Sequence, residues 1–460
     1  MIENLKPYAE YKASGLPWAP EIPAHWGLIP NRAVLRKRKI LVGRHHKNYQ
    51  LLSLTKGGVI VRDISTGKGK FSSDMGTSQE VRKGDFVFCL FDVPETPRTV
   101  GLSIHDGMIT SAYTVFESRK LPVEGVRYLE RFYLAMDDQK LLSPLYSGLR
   151  HTIPPPRFLG TKTPQPPAAE QAAIVRFLGH ANRKIDGFIR IKRKLIGLLN
   201  EQKHAIIHRA VTRGLHPDVP LKPSGIPWLG DIPKHWDVVR SRRLFTVRTE
   251  LAGPSDVQLS ATQSYGVIPQ ADYELKIGRR VVKISMHLEK RRHVERDDFV
   301  ISMRSFQGGI ERAWASGAIR SSYVVMKPDP SVDVSFFSYV LKSPGYIRAL
   351  QATGNFIRDG QDLTYGNFRM VDLPLIPLPE QTEIAAYIES ATKALETSIA
   401  RTEREITLMQ EYRTRLTADI VTGKLDVREA AAKLPDVPID VMTTPDADEK
   451  AEEIELDEAP

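Results

Sequence analysis

The chain has 460 residues, of which 41% are hydrophobic and 26% are charged, and its formal net charge at pH 7 is +10. This length allows two to four domains with cores of their own, and no stretch approaches the roughly 20 apolar residues that a membrane span needs. Because Cys89 is the only cysteine, an internal disulfide and a CxxC metal site are both excluded. We therefore expect a soluble, cytoplasmic protein without a membrane anchor.

A Trp-Pro-rich phrase near the start of the chain occurs a second time further along. SGLPWAPEIPAHW at 14–26 and SGIPWLGDIPKHW at 224–236 share eight of thirteen residues, and the same offset returns in Glu170-Gln171 against Glu380-Gln381. A period near 210 residues indicates a tandem duplication of a whole domain and the segment that follows it. We expect each phrase to pack as a stiff turn against the far end of a long helix, rather than to line a ligand pocket.

Each phrase is followed by a region that reads as a mixed α/β globule. Short apolar runs such as GDFVFCLF at 84–91 and SSYVVM at 321–326 predict strands, with helical pieces near 127–142 and 334–350. The sequence predicts a first globule at 1–165 and a second at 216–378.

A long helix is predicted after each globule, at 166–215 and 379–425, because a cluster of prolines is followed by a long stretch without any. In each stretch, apolar residues recur at alternating steps of four and three, which places them in one stripe along the helix. A helix with such an apolar stripe is stable in water only when the stripe packs against another element. The fold class predicted is α+β: two globules separated by two helices that form an antiparallel intramolecular coiled coil, with pseudo-twofold symmetry. The residues expected to pack the helices together are Ile174, Leu178, Ile185, Leu195, Leu199, Ile384, Ile388, Leu395, Met409 and Leu416.

Charge is distributed very unevenly along the chain. Residues 426–460 carry a net charge of −9, whereas residues 1–425 carry +19. The acidic segment 426–460 is predicted to be a disordered tail, which either solubilises the protein or competes with DNA for its basic surface. A cationic body of this size usually binds nucleic acid, and less often an anionic membrane surface or an acidic protein.

None of the common catalytic motifs is present in the sequence. It contains no GxxxxGK[ST] loop, no HExxH helix, no GxSxG turn and no Gly-rich methyltransferase cofactor loop. His45-His46 and the pair His204 and His208 lack a third metal ligand, so solvated side chains are the favoured interpretation. We expect a protein that binds rather than reacts, with no catalytic residue, cofactor or metal of its own.

The order of these motifs resembles the DNA-specificity subunit of a type I restriction-modification system. SGLPW…IPAHW and SGIPW…IPKHW each precede a globule, and PPAAEQAAI or PLPEQTEI then leads into a helix that ends in VTRGL or VTGKL. The resemblance covers residues 8 to about 426 and implies two target recognition domains, each reading half of a split double-stranded DNA sequence. It also implies two modification (methyltransferase) subunits docked on the helices and separate restriction (motor and nuclease) subunits, with S-adenosylmethionine, ATP and Mg on those partners. TPQPPAAEQ departs from the family's usual helix entry, which puts the details of docking at the first helix in question.

DNA contacts are expected from cationic side chains, because phosphates attract Lys and Arg while Arg and Lys also read base edges. We selected cations near strand ends or Gly-rich loops: Arg62, Lys68, Lys70, Arg98, Arg150, Arg280, Arg304, Arg320 and Arg358. Two other functions stay open at this point. One is a self-contained restriction or methylation enzyme, and the other is a basic coiled-coil scaffold for RNA or protein.

Overall fold

A computed structural model describes residues 5–62, 75–119, 121–281, 290–354 and 364–435. The chain divides into two compact units. The first unit combines Met1–Ile191 with Glu405–Pro460, and the second is Lys192–Arg404. No helix within the described ranges combines the length and the apolar character that crossing a membrane requires.

The first globule is built of short strands with three helices between them. Its strands are β1 (Tyr11–Leu16), β2 (Ala19–Pro23), β3 (Gly27–Pro30), β4 (Leu35–Arg38), β5 (Leu52–Thr55), β6 (Gly58–Val61), β7 (Gln79–Val81), β8 (Asp85–Phe88), β9 (Val100–Leu102), β10 (Gly107–Ile109), β11 (Thr114–Ser118) and β12 (Lys162–Gln165). Its helices are α1 (Asn31–Val34), α2 (Val123–Asp138) and α3 (Pro155–Gly160).

A four-stranded antiparallel sheet in the order β4-β11-β8-β9 forms the centre of this globule. Strand β8 is buried on both faces, which explains its continuous apolar sequence. Phe86 and Phe88 face the larger hydrophobic core, whereas Val87 between them faces a smaller one, because side chains alternate along a strand. The outer strands pair as β1-β2, β3-β12, β5-β6 and β7-β10.

The long helix α4 (Ala168–Arg213) follows, and the second globule begins after it. Its strands are β13 (Leu221–Pro223), β14 (Asp231–Pro233), β15 (Asp237–Val239), β16 (Phe245–Val247), β17 (Leu259–Thr262), β18 (Gly266–Pro269), β19 (Arg292–Val294), β20 (Phe299–Ile301), β21 (Glu311–Arg312), β22 (Gly317–Ile319), β23 (Val324–Pro328) and β24 (Leu373–Leu375). Its helices are α5 (Gln270–Ile277), α6 (Ser305–Gly308), α7 (Val334–Val340), α8 (Pro344–Gln351) and α9 (Tyr365–Phe368), after which come the long helix α10 (Leu378–Val421) and the short α11 (Arg428–Ala432).

Every strand pairing of the first globule has a counterpart in the second. The central sheet runs β16-β23-β20-β21, and the outer pairs are β13-β14, β15-β24, β17-β18 and β19-β22. The two cores also recur, because Phe299 and Ile301 of β20 face a larger core and Val300 faces a smaller one. The predicted duplication of a mixed α/β globule is confirmed.

The two long helices, of 46 and 44 residues, pack on each other within each unit. In the first unit, Leu178 near the start of α4 shares a core with Leu416 near the end of α10. In the second unit, Val211 near the end of α4 shares a core with Ile388 near the start of α10. The predicted antiparallel direction of the helices is therefore confirmed.

Two ion pairs between the helices follow the same direction. Asp186 of α4 pairs with Arg413 of α10 in the first unit, and Lys203 pairs with Glu396 in the second, with 2.6 Å between Nζ and Oε1. From Asp186 to Lys203 the chain advances 17 residues along α4, and from Arg413 to Glu396 it goes back 17 residues along α10. Equal and opposite steps are those of an antiparallel pair in constant register.

The buried stripe of α4 differs from the predicted one in its middle. Ile174, Leu178 and Ile185 are buried as expected, but the stripe continues through Ile189, and Leu195 is 39% exposed. The reason is that a helix of 3.6 residues per turn drifts about 20° per heptad against a strict repeat of 3.5, so an extra step of four residues shifts the seam. The other predicted packing residues are buried (Ile384, Ile388, Leu416) or half-buried (Leu199, Leu395, Met409).

The start of the predicted acidic tail is ordered. Residues Arg428–Ala432 form α11, and Val427 and Ala431 are buried in the core of the first unit. The prediction of a disordered tail from residue 426 is therefore wrong for 426–435. Its acidic residues are mostly further along, and the local sequence VREAAA supplies small apolar side chains that the core can bury.

Candidate nucleic-acid interface

The repeated phrase holds the start of its own long helix through a buried carboxylate. In the first unit, Trp26 Nε1 donates to Glu170 Oε1 at 3.0 Å, and His25 Nε2 lies 2.8 Å from Glu170 Oε2. The hydroxyl of Tyr8 also donates to Glu170, whose side chain is 4% exposed. Because a buried carboxylate is costly without partners, these donors fix the first turn of α4 on the phrase. We call this set the first clasp.

The second unit contains the same arrangement. Trp236 Nε1 donates to Glu380 Oε1 at 3.0 Å, and His235 Nε2 lies 2.9 Å from Glu380 Oε2. This set, the second clasp, has no third donor among the described residues, and the Glu380 side chain is 19% exposed. Both Trp rings are fully buried.

Each clasp also abuts the end of the other long helix, at a glycine. Gly214 follows α4 at φ +68°, and a Cβ there would lie 3.3 Å from the Trp236 ring. Gly423 follows α10 at φ +83°, and a Cβ there would clash with Pro23. Glycine is needed at both positions because the backbone is left-handed and the phrase leaves no room. The prediction that each phrase packs at the far end of a helix is confirmed.

The first clasp also joins the two terminal segments of the described chain. Lys6 and Asp426 form an antiparallel bridge, with 2.8 Å between Asp426 N and Lys6 O. In the repeat of 210 residues both positions correspond to residue 216, where the chain runs on without a break. At this place the first unit has two paired segments, around Lys6 and around Asp426, whereas the second unit has a single continuous segment around residue 216.

An arginine paired with acids occupies the same place in each globule, half-buried as Arg38 and buried as Arg248. Arg38 lies 3.3 Å from Asp85 and 2.9 Å from Glu117. Arg248 lies 2.7 Å from Asp298, and its side chain is 4% exposed. Burial raises the pKa of Asp85 and of Asp298 even though an arginine lies beside each. Within each globule, these ion pairs link neighbouring parts of the central sheet.

The predicted cations of the first globule differ in surroundings. Arg98 is largely buried and pairs with Asp137 and Asp138, while Arg150 is exposed and pairs with Asp92 at 2.6 Å. Arg62 follows β6 and is half-buried. Lys68 and Lys70 lie outside the described residues.

The predicted cations of the second globule are mostly on the surface. Arg280, Arg304 and Arg320 are exposed, and Arg304 caps the start of α6. The carbonyl of Arg304 accepts a hydrogen bond from Gln263 Nε2 at 3.1 Å, which links it to the turn between β17 and β18. Arg358 lies outside the described residues.

Two features were missed by the sequence reasoning. The sequence did single out the clasp glutamates, because Glu170 and Glu380 recur at the repeat offset. A repeat does not show, however, that each carboxylate accepts hydrogen bonds from the Trp and His of the phrase. Trp314 gave no such signal; it is 48% exposed, and the Arg312 guanidinium lies 4.4 Å from its ring centroid. Arg312 is largely buried and pairs with Asp297 at 2.6 Å, so Trp314 is the exposed member of this cation–aromatic pair.

The histidines considered as metal ligands are His45, His46, His204 and His208. Among the described residues, no three His, Cys, Asp or Glu side chains are grouped as a metal site. His208 is on the exposed side of α4, and desolvation together with the neighbouring Arg348 and Arg213 lowers its pKa.

One solved structure from a type I restriction-modification system shares this fold, whereas no family model matches the chain. A chain from a study of complex assembly and conformational transition of the type I R-M system is 14% identical, with a TM-score of 0.55 over 88% of this chain and 99% of that one. The HsdS subunit from Thermoanaerobacter tengcongensis is 15% identical, with a TM-score of 0.37 over 88% and 98%. The S subunit from M. genitalium is 12% identical, with a TM-score of 0.32 over 94% and 100%. The resemblance is confirmed for the fold: this chain has the fold of a chain from a type I restriction-modification system.

Proposed function

We propose that this chain is the noncatalytic DNA-specificity subunit of a type I restriction-modification complex, acting in the cytoplasm. Each globule reads one half of a bipartite double-stranded target, and the paired helices space the globules and dock two modification subunits. The observation that carries the proposal is the duplication itself: two globules have the same strand pairing but different loops and surface cations. One frame presenting two different surfaces fits a protein that reads two different half-sites.

Charge supports DNA as the ligand. Residues 1–425 carry a net charge of +19, and the exposed cations Arg280, Arg304 and Arg320 lie near the ends of short elements in the second globule. Cations on loops contact phosphates and base edges in sequence-specific complexes. The catalytic groups would belong to the partners, so S-adenosylmethionine, ATP and Mg would be held by the modification and restriction subunits.

Exposed apolar residues on α4 support docking of a helical or apolar partner there. Leu195 and Leu198 are 39% and 53% exposed and lie three residues apart on one face of the helix. Neighbouring apolar side chains left on the surface of a paired helix mark an interaction site.

Methylation mapping tests the proposal. The purified full chain should transfer no methyl group to DNA alone, and adding modification subunits should give methylation at one split, asymmetric sequence. Methylation by the chain alone would favour a self-contained enzyme. Salt-sensitive binding without any duplex sequence preference would favour a basic scaffold.

A further inference from the structure

A short hairpin at Ser147–Thr152, which we call the tip hairpin, stands out on the surface of the first globule. Reciprocal backbone bonds close it, with 2.9 Å from Ser147 N to Thr152 O and 3.0 Å from Thr152 N to Ser147 O. Residues 147–151 are all exposed. His151 has φ +42°, a left-handed conformation that a residue with a Cβ adopts only under constraint.

The base of the tip hairpin is fixed to the globule. Arg150 Nη2 donates to Asp92 Oδ2 at 2.6 Å, and Asp92 N donates to the Arg150 carbonyl at 2.9 Å. Ile153, three residues after Arg150, is fully buried, and its N–H donates to Leu90 O at 2.8 Å. The hairpin is therefore presented in a defined position, and the constraint at its tip is maintained by these contacts.

Leu149 at the tip is 100% exposed. The next most exposed large apolar residue in the described chain is Leu275, at 82%. Single apolar residues on a surface are ordinary, but a leucine wholly in water at the end of a pinned and strained turn is not. Its position suits contact with a partner that the chain does not supply.

The surroundings of Leu149 favour a polyanion as that partner. Residues 139–169 include no Asp or Glu; of their four cations, Arg150 pairs with Asp92 and Lys140 with Asp137, while Arg157 and Lys162 are exposed. The second half of the chain also has an aliphatic residue before an arginine, Ile357-Arg358, eleven residues ahead of Phe368 where Leu149 is nine ahead of Phe158. Ile357 and Arg358 lie outside the described residues, so this second pair is a sequence observation only.

We infer that Leu149 is an apolar wedge that enters the DNA of the half-site read by the first globule. Proteins that kink DNA insert Leu, Ile, Met or Phe between neighbouring base pairs while cations beside the wedge hold the backbone. Leu149 unstacks one base step of the half-site, and Arg150, through its pair with Asp92, holds the tip hairpin in position. The inference rests on the proposed function and adds the mode by which one globule engages its DNA.

The test compares the full-length chain with Leu149→Ala and with Val123→Ala, in the assembled complex if the chain alone binds weakly. Val123 is a matched control because it is 59% exposed in the same globule, at the start of α2. Duplexes with the selected target carry 2-aminopurine at successive positions of the first half-site. We expect the wild type to raise fluorescence at one base step. Leu149→Ala abolishes that rise and weakens binding about 10-fold, and Val123→Ala changes neither.

The outcomes separate the two proposals. If the wild type selects a split target but shows no unstacked step, or if Leu149→Ala binds and unstacks like the wild type, the wedge is wrong and the proposed function stands. If the wild type selects no sequence at all, the proposed function is wrong, and the wedge, which rests on it, is wrong as well. Leu149→Phe retains a wedge and is expected to keep the fluorescence rise. Thermal unfolding of each variant should match the wild type, because the replaced side chains make few contacts.

Discussion

The segments that follow the central strands β8 and β20 differ, although the strands themselves match. After β8 the chain passes Asp92, which anchors Arg150, and Arg98, which is paired with acids of α2. After β20 it passes Met303, which is 55% exposed, and Arg304, which is also on the surface. The strand pairing is the same in both globules, and the two globules differ in the segments that follow these strands. If each globule reads a half-site, as we propose, the two half-sites can differ only through segments of this kind, since the shared frame alone would give two equal half-sites.

The clasps offer a second contrast, within the frame. The first has three donors to a carboxylate that is 4% exposed, and the second has two donors to one that is 19% exposed. The additional donor is Tyr8, for which the second half has Asp218 at the repeat offset. Burial and the bond to Glu170 raise the pKa of Tyr8, so its hydroxyl stays a donor. The unit that is closed by two terminal segments has the stronger clasp.

The largest expected effect is loss of a clasp tryptophan. Trp26→Ala and Trp236→Ala should each destabilise the unit that contains the residue by about 3–5 kcal/mol, because loss of a fully buried indole leaves a cavity and removes one donor from the clasp carboxylate. Hydrogen exchange measured by mass spectrometry would locate the effect in one unit. The exposed Trp314→Ala is the control and should cost under about 1 kcal/mol; an equal cost would contradict the clasp.

The glycines after the long helices should respond unequally to alanine. Gly423→Ala should destabilise by about 2–4 kcal/mol, since the left-handed backbone and a clash with Pro23 both oppose a Cβ. Gly214→Ala meets the Trp236 ring at 3.3 Å and should cost about 1–2 kcal/mol, mostly from the backbone. Denaturant titration of both variants measures the difference. Equal costs would show that Pro23 moves aside.

A buried glutamate makes the second globule sensitive to pH. Burial raises the pKa of Glu311 to about 7, although Lys342 Nζ, 2.8 Å away, opposes the shift, and the first globule has Gly101 at the matching strand position. The folded state then binds a proton more tightly than the unfolded chain, so stability is fully present below the ordinary glutamate pKa and falls as pH rises towards about 7.

Removing that carboxylate should flatten the pH profile. Glu311→Gln should abolish a loss on the order of 1–3 kcal/mol between about pH 4.5 and pH 7 in the second unit. Urea unfolding at several pH values, followed by probes in each unit, measures it. An unchanged slope would show that the ion pair with Lys342 keeps Glu311 charged throughout.

The smallest effect on stability is expected on the exposed face of α4. Leu195→Asp should change the free energy of unfolding by under about 0.5 kcal/mol, since the side chain lies outside the buried seam, whereas Ile185→Asp should cost several kcal/mol. If the modification subunits dock on this face, Leu195→Asp should still prevent assembly, as size-exclusion chromatography would detect. Normal assembly would place docking elsewhere on the helices.

Much of the fold was predictable because a long repeat and two long apolar stripes are strong signals. The seam was placed incorrectly at Leu195, since a small drift per turn accumulates over a long helix. The tail was placed too early, because net charge over 426–460 conceals the apolar residues Val427 and Ala431. Site residues are harder to predict from sequence. Only the folded structure shows that Arg98 is ion-paired with acidic residues and that Leu149 is fully exposed.

Base preferences selected with paired variants test bipartite reading most directly. Random duplexes would be selected with the wild type, with Arg62→Ala in the first globule and with Arg304→Ala in the second. We expect a split consensus for the wild type, and each variant should relax one or two base pairs in a different half, at a cost of about 1–3 kcal/mol for a bidentate contact. Relaxation of both halves by either variant, or a uniform loss on all DNA, would contradict independent reading by two globules.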